Sequence, residues 1–381
     1  MAGVSIGWRR IKHTTTMQKQ THTTKQYDQE RLDTLSWLRF PLIVGVVFAH
    51  CNIYALVESW EGTAPEWPAW IEYLFTYFHW IVLPARVPLL FIISGYLFFR
   101  TQKPRNKAFF ADKYRRRTHS LFIPYIAWNT IAIAILYLRF NIIDGCNYSL
   151  PDYLSGYWNF ILREGGDPAN GPLWFMRDLM VVSLLAPLLH IFIKKRTTGI
   201  IFLAATTICY AAKTAIPITG FSNVAILFFS IGAYLATHNI DFTKIPTPIG
   251  IITTILYFPI QFFMNSIDEN SPYIDTMFLV TCIVKITATL YIVSLLFRKG
   301  VLHPTPGLTK LCFILYSLHG IIIGPIIKTA YFTLNSNNNP FTAILIFFST
   351  PVVIIAITAL SHHLLTRYTP RLAAILGCNR R

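Results

Sequence analysis

The chain has 381 residues, of which 54% are hydrophobic, 15% aromatic and 13% charged, and its mean hydropathy is +0.47. Soluble proteins carry about 25% charged residues, so this composition excludes a water-soluble globule, and it is too hydrophobic for a disordered chain. It predicts an all-α polytopic membrane protein. A net charge of +16 would point to nucleic acid in a soluble protein, whereas a membrane protein collects basic residues on its cytoplasmic side.

Ten apolar stretches are long enough to cross the hydrocarbon core, which takes roughly 17 to 25 helical residues. In chain order they run near 35–57, 77–99, 119–138, 173–193, 198–216, 221–238, 247–266, 273–297, 311–329 and 341–366. For the second span the alternative is that Trp70 to Pro84 forms a separate short helix at the outer surface. The remaining polar segments predict a disordered N-terminal tail over 1–33 and a short basic tail over 369–381. Residues 34–368 form the predicted membrane domain.

The distribution of basic residues predicts the orientation. If the N-terminus is cytoplasmic, 25 of the 33 lysines and arginines fall on inner segments, and the outer loops hold only Arg139 and Arg163. Cytoplasmic loops carry this excess in membrane proteins, so both termini are predicted to be cytoplasmic. The same distribution explains most of the positive charge, and no nucleic-acid partner is expected.

Ionisable side chains inside a span are costly, which makes each of them a functional candidate. The first span carries Arg39 and His50, eleven residues apart. Eleven helical steps return to within about 20° of the starting direction with a rise of about 16 Å, so both side chains face the same way. The alternatives are an arginine that reaches the lipid headgroups and a neutral histidine that bonds a neighbouring helix.

The second predicted span contains a second buried cation. Arg86 precedes thirteen uncharged residues, which places it at the outer end of the span, where the cytoplasmic bias of basic residues does not explain it. Further along, Ser94 and Gly95 permit a close approach between two helix backbones.

A basic inner loop follows, with Arg115, Arg116 and Arg117. Such a cluster sets topology and binds lipid headgroups, and it is also what a phosphate-rich cytosolic ligand needs. Both interpretations stay open at this point.

The fourth span begins with Arg177 and Asp178, about one turn inside its outer end. Adjacent residues diverge on a helix, so each is expected to meet a group on another helix. His319 lies within the ninth span, and Lys285 is a weaker candidate. No metal site is predicted, because no cluster of histidine, cysteine or carboxylate has the spacing of metal ligands.

Five motifs occur in order between residues 33 and 330. They are LRFPLIVGVVFAH, with an R-x10-H pattern, RVPLLFIISGYLF, KYRRRTHSLFIPYIAW, GPLWFMRDL and LYSLHG, with a Y-x-x-H pattern at Tyr316 and His319. In this order they resemble the integral-membrane acyltransferase family 3, which contains sugar and polysaccharide O-acetyltransferases.

The resemblance implies transfer of an acyl group, usually acetyl, from cytosolic acyl-CoA to a hydroxyl of a glycan or lipid-linked sugar, without a bound cofactor. It implies that His50 is the general base and that Arg39, Arg86 and Arg177 act in catalysis. The alternative is an acyl-histidine intermediate, which the sequence does not distinguish from direct transfer. Donor or substrate binding falls to the other candidates, which are Ser94, Arg115, Arg116, Arg117, Trp174, Asp178 and His319.

The expected partners are acyl-CoA, the saccharide acceptor and membrane lipids, and the expected location is a bacterial inner membrane. The competing interpretation is a transporter or flippase, in which buried arginines and histidines bind substrate or relay protons. Inverted repeats and broken helices in corresponding halves of the chain would favour that alternative, and the sequence shows neither clearly. A third interpretation, a noncatalytic membrane scaffold, leaves Arg86, Arg177 and His50 unexplained.

Overall fold

The chain folds into helices, and the described residues contain no β-strand. The computed structural model describes residues 28–61, 65–82, 85–101, 104–162, 166–212, 214, 218–267, 271–334 and 339–378. Most of the predicted disordered tail, residues 1–27, lies outside them. The helices are α1 Asp28–Ala49, α2 Ile53–Glu61, α3 Ala69–Val82, α4 Arg86–Phe99, α5 Lys107–Ile143, α6 Leu150–Leu154, α7 Trp174–Leu184, α8 Ala186–Ile193, α9 Arg196–Ala211, α10 Asn223–Thr237, α11 Thr247–Leu256, α12 Pro259–Asn265, α13 Ile274–Arg298, α14 Pro306–Leu334, α15 Pro340–Tyr368 and α16 Pro370–Ile375.

The multi-pass, all-α architecture predicted from composition is confirmed in its coarse form. Within the described ranges, five helices are long and apolar enough to cross a membrane, namely α1, α5, α13, α14 and α15. The bent pair α7 and α8 makes a sixth if it is one span. Helices α4, α10 and α11 are apolar but shorter.

The first predicted span differs from the observed helix at both ends. Helix α1 begins at Asp28, inside the segment expected to be disordered, and it ends at Ala49 instead of continuing to residue 57. The amides of His50 and Cys51 bond carbonyls three residues back, at 3.0 and 3.1 Å, which tightens the last turn and ends the helix. The prediction of one helix over 35–57 is therefore wrong.

The second predicted span, 77–99, consists of two helices, α3 and α4. Pro88 lies in the first turn of α4. Proline is tolerated there because the first N–H groups of a helix have no partner within it. This favours a new helix start at Arg86. The prediction of one continuous helix is wrong, and the alternative of a separate helix before Arg86 is confirmed by α3.

The basic segment with Arg115, Arg116 and Arg117 is helical, although it was predicted as an inner loop. The side chain of Asn106 accepts a hydrogen bond from the Phe109 amide at 3.0 Å and caps α5. The segment then continues through a π-helical turn at Thr118–Phe122 into the third predicted span, so that α5 has 37 residues. The helix gives these arginines fixed positions relative to the membrane domain.

Two further predicted spans are broken near a proline. Helices α7 and α8, predicted as one span over 173–193, meet at 60° next to Pro187. Helices α11 and α12, predicted as one span over 247–266, are separated by two residues before Pro259. Proline lacks an N–H and its ring clashes with the carbonyl four residues earlier, which interrupts the helix.

The predicted basic tail over 369–381 contains α16, which folds back onto α5. Ala373, Leu376 and Cys378 are buried, and the indole nitrogen of Trp128 donates a hydrogen bond to the Leu376 carbonyl at 3.2 Å. The described part of this segment is therefore packed structure.

Helices α4 and α10 pack with their backbones in contact. A Cβ atom at Gly95 would overlap the carbonyl of Phe229, and one at Gly232 would overlap the carbonyl of Ile92. The close approach predicted for Gly95 is confirmed. Small residues on both helices allow this spacing, and the contact fixes α4, which forms one wall of the site.

Candidate active site

A cavity of about 610 Å³ lies between α1, α4, α5, α7 and α14. We call it the basic cavity, because five basic side chains line it and no carboxylate of the described chain does. Such a charge favours a ligand with several negative charges. The basic residues are Arg39, Lys113, Arg116, Arg117 and Lys310.

The basic cavity has a charged end and an apolar end. On α14, Lys310 precedes Tyr316 by six residues, which is about 9 Å along a helix. On α1, Arg39 precedes Ile43 by one turn. The apolar end is therefore lined by Ile43, Leu90, Phe175 and Tyr316. This shape suits a long ligand with an anionic head and a thin, less polar arm.

The cations of the basic cavity differ in their protein contacts. The guanidinium of Arg117 donates to the Ser183 hydroxyl at 2.6 Å and lies 4.8 Å from the centre of the Phe98 ring. The ammonium of Lys113 donates to a carbonyl of α4 at 3.2 Å. Arg39 has no hydrogen bond or ion pair with the described residues, so its guanidinium is available to a ligand.

Arg115 and Arg116 are adjacent in sequence but differ in their location relative to the basic cavity. Both form ion pairs with Asp112, at 3.5 and 2.9 Å, and both side chains are more than 70% exposed. Only Arg116 lines the basic cavity. The structure thus places two of the three predicted donor-binding arginines in the site and leaves Arg115 outside it.

Beyond the apolar end lie two histidines. The rings of His50 and His319 have centroids 5.3 Å apart, and the Tyr316 ring lies 6.0 Å from that of His319. His50 is exposed to solvent, in the turn that follows α1, whereas His319 is completely buried in α14. Tyr316 belongs both to the cavity lining and to this pair, so it connects the two regions.

Arg86 begins α4 close to the two histidines. It is buried, its guanidinium donates to the Gly45 carbonyl of α1, and its charge interacts electrostatically with both imidazoles. Because α4 runs from Arg86 towards the charged end of the cavity at Phe98, Arg86 lies at the opposite end of that helix. The predicted location of Arg86 at a helix end is confirmed, and its location on the outer side of the membrane stays a prediction.

Arg177 and Asp178 pair with each other, contrary to our prediction. The Arg177 Nε atom donates to the Asp178 carboxylate at 3.0 Å, and both residues are buried. The Nη1 atom donates to the carbonyls of Trp158 and Gly166, at 2.8 and 2.7 Å. The guanidinium thus binds two backbone carbonyls that precede α7, and Arg177 holds the backbone at Trp158 and Gly166 in place.

A buried amide network, which the sequence did not reveal, fixes the turn before α7. The Asn170 side chain donates to the Ser317 carbonyl of α14 at 2.9 Å, and its backbone N–H donates to the Asn129 side chain of α5 at 3.0 Å. The Tyr316 hydroxyl donates to the Pro172 carbonyl in the same turn. The Asn-Gly-Pro run at 170–172 signalled a turn, but it gave no indication of the partners.

The remaining candidates fall outside the cavity or at its edge. Ser94 lines the basic cavity, whereas Trp174 is half-buried at the start of α7 and is not a lining residue. Lys285 is buried in α13 and donates to Gln261 of α12 at 2.6 Å. Among the described lining residues, Lys310 was missed, because basic residues at span ends were attributed to topology.

Comparison with known proteins identifies the family of the chain. Residues 32–359 match the acyltransferase domain of the acyltransferase 3 family. The succinoglycan biosynthesis protein ExoH of Rhizobium meliloti (strain 1021) is 25% identical over 367 residues, which cover 91% of this chain and 92% of that protein. No solved structure matches the chain. The family match spans both histidines and the basic cavity, and the chain therefore belongs to the acyltransferase 3 family, as a multi-pass membrane enzyme that transfers acyl groups.

Proposed function

We propose that this enzyme transfers an acyl group, most simply acetyl, from cytosolic acyl-CoA to a hydroxyl of a polysaccharide or its lipid-linked precursor. The observation that carries the proposal is the basic cavity, which is cationic at one end and approaches two histidines at the other. The nucleotide phosphates of acyl-CoA would bind the charged end, and the pantetheine arm would extend between α1 and α14. The relative named for succinoglycan biosynthesis supports a polysaccharide acceptor.

In this proposal His50 is the general base. Its imidazole takes the proton of the acceptor hydroxyl as the oxygen attacks the thioester carbonyl. The C–O ester bond forms, the C–S bond breaks, and the proton passes to the departing thiolate. Arg86 is buried and its charge interacts with both imidazoles, and it stabilises the tetrahedral oxyanion, since a buried charge is poorly screened by water.

The proposed orientation follows from the distribution of basic residues. The charged end of the cavity carries residues that the sequence assigns to the cytoplasmic side, where acyl-CoA is found. We propose ten spans with both termini in the cytoplasm of a bacterial inner membrane, a number that includes α9 and the shorter apolar helices α4, α10 and α11. His50 then lies towards the outer half, where a glycan acceptor is accessible.

A reconstituted transfer assay tests the proposal. Full-length protein in liposomes receives acetyl-CoA with a labelled acetyl group and deacylated succinoglycan oligosaccharides, and ester-bound label is counted. We expect transfer by the parent, loss of at least about a hundredfold in His50→Ala, and retention in the matched control His363→Ala, whose side chain is exposed on α15. Unchanged transfer in His50→Ala would contradict the assignment of the base.

The broken helix pairs α7–α8 and α11–α12 are a feature expected of a transporter. The family match favours transfer, and the assay distinguishes the two functions. A transporter would move oligosaccharide across the liposome membrane without consuming acetyl-CoA.

A further inference from the structure

The second histidine of the pair carries an unused nitrogen. The Nδ1 atom of His319 lies 3.0 Å from the Leu315 carbonyl, one turn earlier in α14. A carbonyl only accepts hydrogen bonds, so Nδ1 carries the proton of the neutral ring. The Nε2 atom is then an acceptor with a free lone pair.

This lone pair is buried and has no hydrogen-bond partner within the described part of the chain. Leaving a buried polar atom unpaired costs about 1–3 kcal/mol, so an unpaired atom beside a reactive centre calls for an explanation. The neighbouring ring that can donate an N–H is that of His50. The centroids of the His50 and His319 rings are 5.3 Å apart, with an interplanar angle of 42°.

His50 is free to make this bond. Its backbone lies in the turn after α1, its side chain is exposed, and its ring has no hydrogen bond with the described residues. The bond forms when the His50 side chain rotates so that one ring N–H meets His319 Nε2. The other ring nitrogen then has no hydrogen and faces away from His319.

We propose that His319 is a positioning residue for His50, whose ring N–H it binds through Nε2, thereby fixing the tautomer in which the other nitrogen of His50 acts as the base. The inference rests on the proposed function and gives His319 a different role from substrate binding. Catalytic bases are commonly oriented by a third group in this way.

The proton balance is simple. The acceptor hydroxyl gives its proton to the free nitrogen of His50, and the resulting imidazolium keeps its original N–H bonded to His319. When the tetrahedral intermediate collapses, His50 returns the proton to the thiolate, and both rings end neutral. His319 therefore stabilises the imidazolium without gaining a proton.

Three variants test this role, all in the reconstituted assay described above. His319→Leu removes the acceptor and should lower turnover about a hundredfold or more, while the equilibrium dissociation constant for acetyl-CoA stays within about twofold of the parent. His319→Gln can restore an acceptor oxygen and should recover at least about tenfold of that loss. The double variant His50→Ala/His319→Leu should be no slower than His50→Ala, because His319 acts only through His50.

Three results would overturn the inference. They are equal activities of the leucine and glutamine variants, a weakened affinity for acetyl-CoA with unchanged turnover, or a further loss in the double variant. Failure of the proposed function has a different signature, which is absence of transfer by the parent protein itself. Accumulation and thermal unfolding of each variant, measured in detergent, separate loss of folding from loss of catalysis.

Discussion

Arg115 and Arg116 are adjacent, carry the same charge, are similarly exposed and share Asp112 as an ion-pair partner. Only Arg116 lines the basic cavity. Both arginines are expected to affect membrane topology equally, whereas only Arg116 can bind a ligand in the cavity. Substitutions at the two positions therefore distinguish ligand binding from an effect on topology.

We expect Arg116→Gln to weaken acetyl-CoA binding about three- to tenfold, because an exposed cation contributes modestly to binding a phosphate. Arg115→Gln should change the dissociation constant less than twofold. Equilibrium binding to purified protein at low and high salt is the measurement, and the difference between the variants should shrink as salt screens the charge. Equal effects of the two substitutions would mean that the basic segment sets membrane topology and does not bind acetyl-CoA.

At Arg177 the expected effect lies in the segment that its guanidinium holds. Arg177→Gln loses the donors that bind the carbonyls of Trp158 and Gly166. We therefore expect faster proteolysis after Trp158 and lower turnover, with acetyl-CoA affinity close to that of the parent. Mass spectrometry of the fragments measures the first effect. A variant that resists proteolysis as the parent does would show that the segment is held by other contacts.

At the residue scale, the sequence identified side chains better than it identified their partners. Arg39, His50, Arg86, Arg116 and His319 all lie in or beside the site. Those in apolar segments were readable because an ionisable residue is conspicuous there. Arg116 was readable as a member of a basic cluster. The pairing of Arg177 with Asp178 could not be read from the sequence, because it depends on a side-chain conformation that residue spacing does not encode.

At the scale of the helices, hydropathy predicted where apolar segments lie but not where the helices end. The helix break after Ala49 depends on two local hydrogen bonds. The breaks near Pro187 and Pro259 lie inside apolar segments, whose mean hydropathy does not reveal them. A window that averages over roughly 20 residues cannot resolve such interruptions. The tertiary contacts that accommodate the freed backbone groups are also invisible in one sequence.

The contact between α4 and α10 gives an element-scale prediction. Gly95→Ala places a methyl group on the Phe229 carbonyl, and overpacking of this kind costs about 1–3 kcal/mol or more when backbone must move. We expect a lower unfolding temperature in detergent and less accumulated protein. Gly307→Ala is the matched control, since nothing lies within 4 Å of a Cβ there. Equal stability of Gly95→Ala and the parent would mean that the two helices separate easily.

At the scale of the whole molecule, the inferred orientation has a direct test. A reporter that is active only in the cytoplasm should be active when it is fused after Arg381. A reporter that is active only outside the cytoplasm should be active when it is inserted between Asp144 and Ser149. Reversed signals would place the charged end of the basic cavity on the side that lacks acyl-CoA.

The multi-pass, all-α class was predictable from composition alone, whereas the cavity was not, because it is formed by five helices that are distant in sequence.

The backbone contact between α4 and α10 also constrains how the protein is made. The ribosome completes α4 more than a hundred residues before it completes α10, so the glycine face of α4 has no partner while α5 to α9 are synthesised and inserted. Helices that insert individually and associate later are a general feature of membrane protein assembly. Here the helix that forms one wall of the active site gains its packing partner only when α10 is inserted. Truncation before Asn223 should yield a nascent chain whose α4 is bound by a membrane chaperone or degraded.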